Sequence, residues 1–222
     1  MSDALSGMLP LAAAIAVSPI PILAVILMLL SERATQNALA FLAGWAIALA
    51  LIAGVVAILG SGSADAGEEP APGLIAAQFV LASILLAAAI RRWRKRPGPG
   101  EVAEVPKWMG RLRTIGPPGA LGLGLGLIAL NPKDALLSVA AGARLAEADP
   151  GAGAGVPALA LFVLVASSTI VAPIAATVAS GARARPLLGR WRGALEQHGQ
   201  VAVAAVLLVL AVLVALDAAL AL

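Results

Sequence analysis

A lysine and an aspartate stand side by side at positions 133 and 134, well inside the apolar run from Pro118 to Leu145. A charged side chain at the centre of a membrane-spanning helix costs about 2.5–3.5 kcal/mol to insert and is a functional-site candidate by default. The pair belongs to a six-residue stretch, Ala129-Leu130-Asn131-Pro132-Lys133-Asp134, that aligns without a gap on Ala16-Val17-Ser18-Pro19-Ile20-Pro21 in the first apolar run. Proline inside a helix removes a donor and clashes with the preceding turn, yet it suits the first position of a new helix. Ser18 and Asn131 therefore read as N-caps of second half-helices, and Asp134 as the carboxylate of a capping box. Each break would present open amides and the positive end of a helix dipole. Two such ends attract an anion, and Lys133 adds a full charge beside them. The chemistry this points to is binding of an anionic or zwitterionic substrate by Ser18, Pro19, Pro21, Asn131, Pro132, Lys133 and Asp134. The plainer alternative is that the prolines kink ordinary helices and that Lys133 is neutralised by Asp134 or by a neighbour's cap.

Ser167, Ser168 and Thr169, just before Pro173, form the polar cluster of the fifth apolar run and are expected to line the same cavity. Their alternative role is bonding to backbone or to a neighbouring helix. Gly122 and Gly126 have the spacing of a close helix contact, while Gly44 and Trp45 set a large ring either beside the substrate route or in the core. Catalytic and metal chemistry are not expected. The chain has no cysteine and a single histidine, His198, without a second ligand near it. It also lacks the Gly-Lys-Ser/Thr of a phosphate-binding loop. An intramembrane enzyme would need a nucleophile with a base, and Lys133 stands far from the serines in sequence. No cofactor is expected.

The elements that must position these residues follow from composition. The 222 residues are 61% hydrophobic and 12% charged, with mean hydropathy +0.98, whereas about a quarter of a soluble domain is charged. A crossing helix needs about 20 apolar residues, and six segments approach that: 5–30, 36–59, 74–90, 118–145, 157–180 and 201–222. Arg91, Arg92, Arg94, Lys95, Arg96, Lys107, Arg111 and Arg113 fall between the third and fourth, and Arg183, Arg185, Arg190 and Arg192 between the fifth and sixth. Basic loops stay cytoplasmic, so both termini are expected outside. The net charge of +3 is confined to loops between apolar spans and does not form a nucleic-acid surface. Residues 1–30 carry no Lys or Arg, so the first run is expected to be retained rather than cleaved as a signal. Pro186 to Gln197 is expected to form a short interfacial helix.

The fold expected is thus an all-α membrane protein, one transmembrane domain over 1–222. Six helices form two inverted three-helix repeats, 1–90 and 118–222, joined by a basic cytoplasmic loop over 91–117, with helices 1 and 4 broken at mid-membrane. That is a plan of secondary transporters with alternating access around a midplane site.

Ser18-Pro19-Ile20-Pro21 with the apolar run after it, Phe41-Leu42-Ala43-Gly44-Trp45, and Asn131-Pro132-Lys133 together resemble the lysine-exporter superfamily. Within it the chain is most similar to the actinobacterial Sap/GAP family of lipid-addressing membrane proteins. The resemblance covers the whole chain in length, span number and motif placement. Amino-acid exporters of the superfamily usually carry Pro-Gly-Pro in the first motif; Ile20 stands in place of that glycine and shifts the comparison to the lipid-addressing branch. What the resemblance implies is a protein of the bacterial cytoplasmic membrane that exports a small polar solute or an envelope glycolipid, or an accessory to a separate lipid exporter. The partners implied are membrane lipids and the substrate, with a homodimer left open and no nucleic acid.

Overall fold

The computed structural model describes residues 2–60, 83, 86–87, 89–91, 93–94, 112, 114–148 and 151–220, and among them regular structure is helical throughout. The chain divides into two compact units, Met1–Asp65 with Val105–Arg192, and Ala66–Glu104 with Gly193–Leu222. Most of the expected third span and of the basic loop over 91–117 lies outside the described residues. In the second unit, Ala89, Val203 and Leu207 share a buried apolar cluster.

The first unit contains α1 (Ser2–Ala16), α2 (Pro19–Leu29), α3 (Ala34–Gly60), α4 (Pro117–Leu130), α5 (Pro132–Glu147) and α6 (Gly151–Ser180). A 3-10 turn, Gly181–Ala184, leads into α7 (Arg185–Leu220). Each chain break falls at the proline motif. α1 and α2 meet at 54°, and α4 and α5 at 75°, because Pro19 and Pro132 cannot donate the bond that would continue the preceding helix.

α3 and the Gly153–Ser180 part of α6 are long and apolar enough to cross a membrane, and each bent pair passes the same test if counted as one span. Their outward faces are as apolar as their inward ones. Ile58 and Leu59 are 75% and 74% exposed, and Leu51, Val55, Leu164 and Val178 are exposed as well. A helix that is hydrophobic all round belongs in lipid or in a large core. This unit is too small for the second, so the chain is a membrane protein.

α1 packs on α5 and α6, α2 on α3 and α6, and α3 on α4, α5 and α6. The α3–α4 contact is made at Gly44 and Gly124. A Cβ on Gly44 would lie 2.1 Å from Leu121 O, and one on Gly124 2.2 Å from Phe41 O. Gly122 and Gly126, the pair with the expected spacing, have nothing within 4 Å of such a Cβ, so the close approach belongs to a different face of α4.

The separate interfacial helix expected over 186–197 is instead the first part of α7, which runs on without interruption to Leu220. Gly193 and Gly199 cost a helix only about 1 kcal/mol each, and no proline follows Pro186 to stop it. Leu188 in that stretch is buried, whereas Leu187 is exposed.

Candidate functional site

Ser18 and Asn131 each occupy the N-cap position with extended backbone, φ −83° and ψ 111° for Ser18, φ −105° and ψ 96° for Asn131. Neither side chain caps its own helix. Both turn to one acceptor. The Ser18 hydroxyl donates to the Asp134 carboxylate, with Oγ 2.7 Å from Oδ1 and 2.9 Å from Oδ2, and Asn131 Nδ2 donates to Oδ2. The expected capping box is therefore not formed. The Asn131 N–H that Asp134 was to accept goes to Ile128 O at 3.2 Å.

Lys133 completes the cluster from the other side. Its Nζ lies 2.9 Å from Asp134 Oδ1, with side-chain exposures of 10% and 0%, and donates to Ala14 O at 2.6 Å. Ala14 is in the last turn of α1, where carbonyls have no intrahelical donor. Thr169 Oγ1 of α6 donates to another, Ala16 O, at 2.6 Å. Helix dipoles explain the sorting. Lys133 points to the negative C-terminal end of α1, while Asp134 sits in the positive first turn of α5 and against the start of α2.

The two positive ends expected to attract an anion are thus supplied with one by the chain itself. Asp134 is fully buried and has hydroxyl, amide and ammonium donors around it. Pro19 and Pro21 reinforce this, since two of the first four residues of α2 have no N–H to offer a ligand. The result is a neutral, closed cluster that ties the two breaks together across 116 and 119 residues of sequence. Opening it exposes both a cation and an anion.

Of the other expected site residues, Thr169 joins the cluster through Ala16. Ser167 is buried, and its Oγ has no hydrogen-bond partner among the described residues. Ser168 is exposed. Pro19, Pro21 and Pro132 act by shaping the breaks. Trp45 is 1% exposed and stacked on Phe41 with ring centroids 6.3 Å apart and planes at 20°, which is packing. Sequence reasoning attended to the N-terminal ends of the breaks and passed over the carbonyls of Ala14 and Ala16 at a C-terminal end. The signal was present, because a helix interrupted at Pro19 must leave open acceptors as well as open donors. No group capable of holding a metal as three or more His, Cys, Asp or Glu side chains occurs among the described residues.

Thr169→Val removes the donor to Ala16 O and is expected to lower stability by about 0.5–1.5 kcal/mol, read as the thermal midpoint of the purified protein in detergent. Ser168→Ala, on the exposed side of the same turn, is expected to leave that midpoint unchanged.

Two interrupted helices tied to each other by the hydrogen bonds of a largely buried Lys133–Asp134 pair, beside two long helices apolar enough to cross a membrane, define a polytopic helical membrane protein with a polar centre. Residues 8–219 match the Sap, sulfolipid-1-addressing protein, family, and the chain belongs to that family. No curated protein and no solved structure matches it.

Proposed function

We propose that the chain is a secondary exporter of an acidic or zwitterionic envelope lipid, or of a small solute with the same charge pattern. Its substrate group exchanges with Asp134 at Lys133. The observation that carries this reading is the Ser18–Asp134–Lys133–Ala14 cluster. An ion pair is expensive in the interior of a bilayer, and this one is placed where two broken helices meet rather than in a continuous rod. A family whose description names sulfolipid addressing supports a lipid cargo, and the anionic headgroup of such a lipid is a ligand that Lys133 can take once Asp134 moves.

On this reading the cluster is the resting lock. Substrate binding separates Lys133 from Asp134, frees the carbonyl ends of α1, and lets the halves on either side of the breaks rock in turn. The matched proline motifs support six spans in two inverted halves and the resemblance to the lysine-exporter superfamily. The arginine distribution supports placement in the bacterial cytoplasmic membrane with both termini outside. No enzymatic step is part of the mechanism.

The test is transbilayer movement of a headgroup-labelled acidic glycolipid in proteoliposomes that contain the purified chain alone. The wild type is expected to accelerate it, and Ser18→Ala to slow it by about tenfold, the kinetic equivalent of about 1.4 kcal/mol. If the pure chain moves no lipid, yet export in cells depends on Arg91 to Arg96, the exporter reading fails and an accessory to a separate lipid exporter takes its place.

A further inference from the structure

The carbonyls of the last turn of α1 are satisfied in two ways. Ala13 O and Ile15 O accept backbone N–H groups, from Val17 at 3.3 Å and from Ser18 at 3.0 Å. Ala14 O and Ala16 O accept side-chain donors from elsewhere, Lys133 Nζ and Thr169 Oγ1, each at 2.6 Å. Only the first of these brings a charge. The Lys133 ammonium thus sits between Ala14 O and Asp134 Oδ1, 2.9 Å from the latter, at the negative end of α1. Carbonyls at the end of an interrupted helix are what membrane transporters use to hold coupling cations. Here the cation is a side chain of the same protein.

Once Lys133 turns to an anionic substrate, as proposed above, those two oxygens are left with one formal negative charge and no positive partner. A buried charge stripped of its partner is costly, and Ala14 O loses its donor in the same step. Ser18 and Asn131 still donate to the carboxylate, so positive charge is what the seat lacks. Water brings donors without charge. A proton cancels the charge but leaves the space of the ammonium empty. A monovalent cation of ammonium size restores both, and the single carboxylate balances one charge, not two. Asp134 has no exposed surface, but the Lys133 side chain keeps 10%, so the seat is reached along the path that the lysine stem now fills.

We infer that the seat of the Lys133 ammonium is a binding site for a monovalent cation of ammonium size, which enters from solution when Lys133 engages the anion of the substrate. Potassium is close to ammonium in size and is the ion expected there. Cation and anionic headgroup then occupy the cluster together, and its net charge stays zero. Natural filling of the seat rests on the exchange of Lys133 proposed above, whereas the seat itself is testable without transport.

Full-length Lys133→Ala in detergent keeps the seat vacant. Its thermal midpoint is measured in choline chloride, whose cation is too bulky for the seat, and then in potassium or methylammonium chloride at the same ionic strength. A saturable rise is expected in at least one of the two, about 3–6 °C at roughly ten times the dissociation constant. The wild type, with its seat filled, and K133A/D134N, without the carboxylate, are expected not to respond. If Lys133→Ala does not fold in choline, recovery of monodisperse protein by purification in potassium or methylammonium replaces the midpoint. The site is overturned if neither cation raises midpoint or recovery, or if the wild type or K133A/D134N responds equally. In wild-type proteoliposomes, movement of the acidic glycolipid is expected to fall about tenfold when choline replaces potassium. Equal movement in both salts overturns the entry of the cation during transport; movement in neither sinks the exporter reading instead and leaves the seat to be decided by Lys133→Ala.

Discussion

Asp134→Ala is expected to destabilise the protein by about 3–5 kcal/mol, the usual cost of leaving one member of a buried ion pair without the other. Lys133 would keep its contact with Ala14 O but lose the opposite charge 2.9 Å away, and Ser18 and Asn131 would lose a shared acceptor. Replacing both charges with apolar side chains of similar size, as in K133M/D134L, is expected to recover most of that loss, because such replacements are often neutral. Equilibrium unfolding of the three proteins in detergent gives the comparison. Activity is expected to follow a different order: the double variant folds and does not transport. A double variant that moves lipid at the wild-type rate rejects the site, and an Asp134→Ala variant as stable as the wild type shows that the cluster does not hold the breaks together.

Gly124→Ala is expected to be among the most damaging single methyl groups in the first unit. Its Cβ would meet Phe41 O at 2.2 Å and Trp45 N at 2.8 Å. Both are backbone atoms and cannot swing aside, so α3 and α4 must separate. Overpacking of this kind costs about 1–3 kcal/mol and sometimes more, and the upper end applies where whole helices move. Gly44→Ala, facing Leu121 O from the other helix, is expected to behave alike. Gly122→Ala meets nothing within 4 Å and should instead stabilise slightly through helix propensity. Thermal midpoints of the three variants decide the matter, and equal losses at 122 and 124 would contradict the packing described here.

What was legible in the sequence follows from which signals are local. α3 runs over Ala34–Gly60, close to the 36–59 read from hydropathy, because an unbroken apolar run has one reading. Both helix breaks were legible for a similar reason: proline acts on its own turn. Their partners were not. Asp134 could serve the cap of its own helix or reach across to Ser18, and nothing within four residues of it distinguishes the two. The choice depends on α1 lying against α5, a tertiary fact. The glycines of α4 illustrate the same limit. Gly119, Gly122, Gly124 and Gly126 lie so close in sequence that spacing alone cannot say which of them faces α3; the rotation of the helix about its axis does, and it selected Gly124.

The partners of the α1 carbonyls lie far down the chain, Lys133 by 119 residues and Thr169 by 153. At about 5–20 residues per second of synthesis, the wait for Lys133 alone lasts roughly 6–24 s. Through that interval the nascent broken helix at the amino-terminal end holds bare acceptors that hydrocarbon cannot hydrate. Newly made chains should therefore linger beside water or an insertase until the later half arrives, and translation stalled between the two motifs should leave a protease-sensitive intermediate.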